Sequence, residues 1–350
     1  MSACANEELA RRMRRPFSIQ PGRWLACAPV ALLIAALYPV SPAHAQVSTE
    51  TYPARVIRMI NSLSAGSSAD HLNRALADGI SPRLNQRVIV ENRPGDGGNV
   101  AAMAVVKAPA DGYMLLMAST ASLAIQMTYN ASRLEYDLRK DLAPISKVAQ
   151  IPNGLFISPT LPVDTLAAFV SYAKARPGQL SCASSGVGGL LHLTCELLKK
   201  TAGLDIVHVP YKGSTAIRPD LIEGRIALLA DNVPVYVPLV QSGKLKVLAV
   251  TSPQRALVLP NVPTTTELGM PGLVSMGLFG LFAPLKTSDD IVSRLSRETV
   301  AVLRDPALRE KLVKQGIEPA GSTPQELREQ VDTEVNKWAG VIKDAKIDKE

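Results

Sequence analysis

The chain has 350 residues, of which 20% are charged, and a formal net charge of +7. It holds only four cysteines and four histidines, none with metal-ligand spacing. It also lacks a lysine/arginine cluster interleaved with aromatics, which argues against nucleic-acid binding.

Residues 1–45 read as a cleaved signal peptide. Arg11, Arg12, Arg14 and Arg15 form a basic start, Leu25 to Tyr38 is apolar, and Ala43-His44-Ala45 places cleavage before Gln46. The apolar stretch is shorter than the ~20 residues that span a bilayer. Cys27 is badly placed for a lipid anchor. Arg14-Arg15-Pro16-Phe17 leaves general and twin-arginine export both open. Removal of the leader leaves 33 Lys+Arg against 29 Asp+Glu, or +4, a mild bias toward anionic ligands. The expected location is the periplasm, and the mature chain is long enough for two domains.

After the leader, short β-branched runs alternate with helical segments. The spacing predicts a strand over 56–60, a helix from Asp70, a strand over 88–90, a helix over 100–106 and a strand over 113–117. This βαβαβ order implies a parallel sheet covered by helices. The alternation restarts with a helix over 165–175 capped by Asp164, a strand over 180–182 and a helix over 190–200. Strands over 206–209, 226–229 and 245–250 follow. Proline-containing segments at 151–153 and 253–272 read as crossings between domains. The last third is helical over 291–303, 306–315 and 324–343, with Pro306 and Pro324 in first turns and Thr323 as a cap. The expected fold is α/β with two domains, each a mainly parallel sheet flanked by helices. Residues 46–150 and 276–350 form one domain, with 276–350 its helical part, and residues 151–275 form the other. No later run is long enough to span a membrane.

Two strand–loop–helix junctions carry the chemistry. The first is Ser64-Ala65-Gly66-Ser67-Ser68-Ala69-Asp70, and the second Ser184-Ser185-Gly186-Val187-Gly188-Gly189. Small residues let a ligand approach the backbone, and the free N–H groups of a helix start suit a carboxylate. One such loop per domain suggests a shared cleft. Further candidates at strand ends are Ser119, Thr120, Tyr211 with Lys212-Gly213-Ser214, and Asp231 with Asn232; His192 lies early in the helix after the second junction. A turn or cap explains each of these equally well. Neither loop matches the nucleotide-binding fingerprints, and no G-x-S-x-G elbow is present. Cys182 and Cys195 are either disulfide-bonded or two buried thiols. No metal or cofactor is expected.

At this point a resemblance emerges. Glu91-Asn92-Arg93-Pro94-Gly95-Asp96-Gly97-Gly98-Asn99, Asp111-Gly112-Tyr113 and Val207-His208-Val209-Pro210-Tyr211-Lys212-Gly213 occur in order. Asp231-Asn232-Val233-Pro234, Ala249-Val250-Thr251-Ser252 and Phe279-Gly280-Leu281-Phe282-Ala283-Pro284 follow. Together they resemble the solute receptors of tripartite tricarboxylate transporters, the Bug proteins, across the whole mature chain. The resemblance implies a Venus-flytrap fold whose two domains close on a small carboxylate held by backbone N–H groups, hydroxyls and water. It implies a small and a large membrane subunit as partners. The protein is expected to be a monomer, and no base–nucleophile motif points to catalysis. The sequence departs from the family pattern at Ser62-Leu63, at Ser67-Ser68-Ala69 and at Ala230, so ligand identity does not transfer. A receptor for a membrane signalling partner is the alternative, and a serine hydrolase a remote one.

Overall fold

A computed structural model describes residues 52–344. The signal peptide, its cleavage site and Cys27 lie outside the described residues.

Strand β1 (Ile57–Asn61) is flanked in parallel by β2 (Val88–Asn92) and β3 (Met114–Ser119). Helices α1 (Ser68–Leu84), α2 (Asn99–Val106) and α3 (Thr120–Tyr129) follow these strands. The 16-residue strand β4 (Leu142–Ile157) comes next. The middle of the chain forms α4 (Leu166–Lys174), β5 (Ser181–Ser184), α5 (Leu190–Ala202), β6 (Val207–Pro210), α6 (Arg218–Ile222), β7 (Leu228–Asn232), α7 (Val237–Gln241) and β8 (Lys246–Val250). The last third forms β9 (Met276–Pro284), α8 (Asp289–Leu303), α9 (Pro306–Lys314), β10 (Glu318–Pro319) and α10 (Pro324–Asp344).

The ten strands run in the order β2-β1-β3-β9-β4-β7-β5-β6, with β8 and β10 also pairing with β4. Strands that emerge from α/β units pair in parallel: β1 with β2 and β3, and β5 with β6 and β7. The long strands β4 and β9 run antiparallel to each other and tie the two regions together. Leu142 to Pro152 of β4 pair with β9, and Asn153 to Ile157 pair with β7. The strand thus passes from one segment of the sheet to the other at Pro152–Asn153. Proline has no N–H for the ladder, and a register shift follows Pro144.

Both segments are covered on two faces, as burial of alternating side chains requires. Ile57 and Met59 face α1 and α8, while Ile60 and Leu116 face α2, α3 and the buried Trp338 of α10. In the second segment Leu155 and Leu228 pack with α4 and α5, and Phe156 and Leu229 pack with Tyr236 and α6. The cap of α4 differs from the sequence expectation. Thr165 accepts from the Ala168 N–H at 3.1 Å, while Asp164 pairs with Lys246 at 2.7 Å. Thr323 does cap α10, accepting from the Glu326 N–H at 3.2 Å. Among the described residues no helix is long and apolar enough to cross a membrane.

Candidate ligand-binding site

The first junction is a tight turn closed by its own aspartate. Gly66 has φ +71° and donates its N–H to Asp70 at 2.9 Å, and Asn92 donates to the other carboxylate oxygen at 3.0 Å. Burial pushes the Asp70 carboxyl up, but the Gly66 N–H, Arg74 and Asn92 outweigh it and hold it below the usual range. Asp70 therefore organises the loop. Ser67 caps α1, accepting from the Asp70 N–H at 3.2 Å. The N–H groups of Ser68 and Ala69, in the first turn, have no acceptor within the helix. The Ser68 hydroxyl beside them is buried without a hydrogen-bond partner. Ala65 is exposed at the tip.

Across from this turn lies the loop between β6 and α6. Thr215 Oγ1 donates to Ser64 Oγ at 3.4 Å, and Arg218 Nη2 donates to the Gly66 carbonyl at 3.0 Å. Gly213, at φ +98°, sits so near that a Cβ there would lie 2.7 Å from the Ser64 side chain.

The second junction meets different partners. Gln126 of α3 donates to the Gly188 carbonyl at 2.7 Å, and the Leu190 N–H donates to Ser122 at 3.2 Å. Gln126 is itself held by Asn99 at 2.9 Å and Asn130 at 2.6 Å. A Cβ on Gly97 would lie 2.1 Å from the Gln126 amide and 3.1 Å from the Gly188 carbonyl. The glycine-rich turn over 95–99 is thus what lets the second segment approach α3. Each junction reaches across to the other segment, but to a different element rather than to its counterpart.

Behind the second junction the buried face is a histidine stack. His192 and His208 lie 4.0 Å apart, ring on ring. His192 Nδ1 accepts from the Gly188 N–H at 3.0 Å, so the ring is neutral, and His208 Nε2 meets Ser184 Oγ at 2.8 Å. Ser184 also contacts the Gly186 carbonyl at 2.9 Å and is fully buried. Ser185 and Gly186 form the half-buried rim of the loop. Cys182 and Cys195 are joined by a disulfide that pins β5 to α5 on either side of the junction.

The other candidates have defined partners. The Tyr211 hydroxyl donates to Asp220 at 2.5 Å; burial and then Asp220 push its pKa up to about 12. Asp231 is buried, accepting from Tyr236 at 2.8 Å and the Asn232 N–H at 2.7 Å. Burial raises its pKa, against the opposing pull of Ser214, the Asn232 N–H, Tyr236 and Arg218. Ser119 caps α3 and Thr120 donates to the Leu278 carbonyl at 3.1 Å. Sequence reasoning missed Ser122, Gln126, Thr215 and Arg218. The first two lie on the unforeseen α3, and the last two just beyond the quoted Tyr211-Lys212-Gly213-Ser214. Among the described residues no group of three or more His, Cys, Asp or Glu is placed to hold a metal.

The histidine stack fixes a pH dependence. Burial, then His208 and Lys199, lowers His192 to about 3. Burial lowers His208 to about 4, with Glu196 opposing and Lys199 adding. Both folded values lie below the unfolded value near 6.5, so the unfolded chain takes up protons first as pH falls. Stability is therefore full above about pH 6.5 and is lost as pH falls toward 4. Urea unfolding at pH 7 and pH 5 is expected to differ by about 2–4 kcal/mol. A His192→Gln, His208→Gln variant with the same pH slope would contradict this assignment.

Two α/β segments joined by crossing strands, with capped helix starts and small-residue loops gathered where they meet, define a solute-binding receptor of the Venus-flytrap kind. Residues 72–347 match the model of the tripartite tricarboxylate transporter family receptor. The chain belongs to that family of periplasmic solute-binding proteins. It is 38% identical over 301 residues to Protein BugT of Bordetella pertussis, covering 86% of this chain and 92% of that protein. It is also similar to the solved structure of R. palustris Rpa4515 with adipate, at 35% identity and TM-score 0.78, covering 84% of this chain and 98% of that one. The structure of MatC (Rpa3494) from Rhodopseudomonas palustris with bound malate is 27% identical with TM-score 0.79, covering 83% and 100%.

Proposed function

We propose that this protein is exported to the periplasm, closes over a small carboxylate, and delivers it to the small and large membrane subunits of a tripartite tricarboxylate-type transporter. The observation that carries the reading is the start of α1. There a buried hydroxyl without a partner, Ser68 Oγ, lies beside two N–H groups that lack helical acceptors. Such a group costs stability unless something accepts or donates to it, and a carboxylate oxygen does so. The relatives solved with adipate and malate support a carboxylate as the class. In this reading residues 46–150 and 276–350 form one lobe and 151–275 the other, and the receptor works as a monomer without cofactor. It catalyses no reaction. Ser184 and His208 are at hydrogen-bond distance, 2.8 Å, but the serine is fully buried and also engaged by the Gly186 carbonyl.

A thermal-shift screen of mono-, di- and tricarboxylates against the mature chain tests this. At least one acid is expected to raise the melting temperature by mass action, and EDTA is expected to leave that shift unchanged. If only sugars or cationic peptides stabilise the protein, the reading is wrong.

A further inference from the structure

Helix α5 begins without a cap of its own. Gly189 holds the cap position and offers no side-chain acceptor, so the first N–H groups of the helix must find partners elsewhere. The Leu190 N–H finds Ser122 Oγ at 3.2 Å, and Ser122 belongs to α3 of the other segment. One turn further along α3, the Gln126 side chain donates to the Gly188 carbonyl at 2.7 Å. One face of α3 thus holds the Gly188 carbonyl with a donor and the Leu190 N–H with an acceptor, on either side of Gly189.

The α3 half of this contact is set in advance. Gln126 Oε1 accepts from Asn99 at 2.9 Å and from Asn130 at 2.6 Å, which turns its amide nitrogen toward Gly188. Asn99 is held in turn by the Tyr136 hydroxyl at 3.0 Å and by Asp96 at 3.1 Å. All of these groups lie in the first segment, and Gln126 is fully buried. The other half is a pliant loop. Gly186 and Gly188 have φ +145° and +70°, and glycine leaves such values at low cost, so the loop can re-orient. The Gly188 N–H turns back to His192 Nδ1 at 3.0 Å, and its carbonyl faces α3.

Around these bonds the seam is apolar. Leu190 and Leu193 of α5 share one buried cluster with Leu123 and Tyr129 of α3 and with Trp338 of α10. Apolar contact of this kind tolerates sliding, whereas a hydrogen bond is lost once its atoms separate by about 1 Å more. The two polar bonds therefore mark one relative position of the segments.

We propose that Ser122 and Gln126 form a closure latch: α3 caps α5 from the other segment only when the segments have closed, and this contact sets how slowly a bound acid is released. Both side chains act through the second junction rather than on the ligand, so they are positioning residues. The inference rests on the closing receptor proposed above and adds the groups that hold it shut. Because the latch is separate from the ligand, it slows the release of every acid by the same factor.

Stopped-flow mixing followed by Trp338 fluorescence, with calorimetry for affinity, tests this in the mature protein with adipate and malate. Gln126→Met is close in volume and leaves the buried Gly188 carbonyl without its donor. It is expected to speed release of both acids by about tenfold, while association rates stay within about twofold because the latch forms after encounter. Should Gln126→Met fold poorly, Ser122→Ala removes only a half-buried hydroxyl and is expected to speed release by about threefold. Variants that unfold at lower urea but release both acids at the wild-type rate would show that the bonds persist in the open receptor, and would overturn the latch. So would losses that differ by more than about fivefold between the acids, since these groups would then touch the ligand. If carboxylates bind and release is unaltered, only this inference fails; if no carboxylate binds, the proposed function fails with it.

Discussion

Gly213→Val is expected to weaken ligand binding at least about 100-fold, or nearly 3 kcal/mol, while leaving the fold intact. The added Cβ alone would lie 2.7 Å from Ser64 Cβ and Oγ, and φ at this residue is +98°. Something must move, and the strand ends that carry these loops are held by large cores. The loop is then displaced from the first junction. That removes the Thr215–Ser64 contact at 3.4 Å and the Arg218–Gly66 bond at 3.0 Å. The closed arrangement loses its anchor on that side, and a ligand that needs closure loses affinity by the cost of reopening. Gly243→Val is the control. Gly243 has φ +70° but nothing within 4 Å of its Cβ position, so it imposes similar backbone strain far from the junction. Circular dichroism should show both variants folded, and titration should show only Gly213→Val impaired. Equal affinity in the two variants would mean that closure at Ser64 is irrelevant to binding.

Removing the disulfide is the second large effect. Cys182 in β5 and Cys195 in α5 are bonded across a sequence separation of 13, and both are fully buried. A loop of this size stabilises by about 3 kcal/mol, largely by restricting the unfolded chain. Cys182→Ala, Cys195→Ala is therefore expected to lose about that much in urea unfolding. The loss also reaches the site, because the bond spans β5, the second junction and the first turns of α5. Affinity should fall along with stability. Thiol titration of the denatured, unreduced protein gives the direct check: no thiol is expected from Cys182 or Cys195. Two free thiols there would restore the sequence's other option, a pair of buried cysteines.

The legible parts of the fold are those whose burial is one-sided or whose strands are plain. α1 reads from Leu72, Leu76 and Ile80 on one face, and these do face the sheet. β1, β2, β3, β5 and β6 lie within about two residues of their expected positions, a normal margin for element ends. Six elements were not foreseen: the short α6, α7 and β10, and three longer ones. α3 is buried on most sides, from Thr120 through Leu123 to Tyr129, so it has no polar stripe to reveal its period. β4 carries Pro144 and Pro152, and the segment 151–153 read as a crossing between domains. The strand tolerates both prolines, at a register shift and where it changes partners. β9 carries glycines that weaken a strand reading, but the Phe282 ring lies over Gly280, within 2.8 Å of where a Cβ would be.

The site shows the same limits. Small-residue loops before helices were visible, because they need only local pattern. Which loops meet was not, because that depends on β4 and β9 bringing the segments together. Gln126, Ser122 and Arg218 carry no local signal. Their roles arise from what lies opposite them across the sheet junction. The turn over 95–99 entered only as part of the resemblance, yet the lack of a side chain on Gly97 is what admits Gly188 and Gln126.

The central claim is that both segments hold one carboxylate, and calorimetric titration of Gly66→Val and Gly186→Val with an acid found in the screen tests it most directly. Gly66 has φ +71° and Gly186 φ +145°, with no neighbour closer than 3.5 Å to either Cβ position, so valine acts through backbone conformation in each loop. Strain of about 1–3 kcal/mol per site, relieved by moving the loop out of its binding conformation, predicts a loss of about fivefold to 100-fold in affinity for each variant. If Gly186→Val folds and binds as the wild type does while Gly66→Val does not, the ligand is held by the first segment alone, and the account of a shared cleft is wrong.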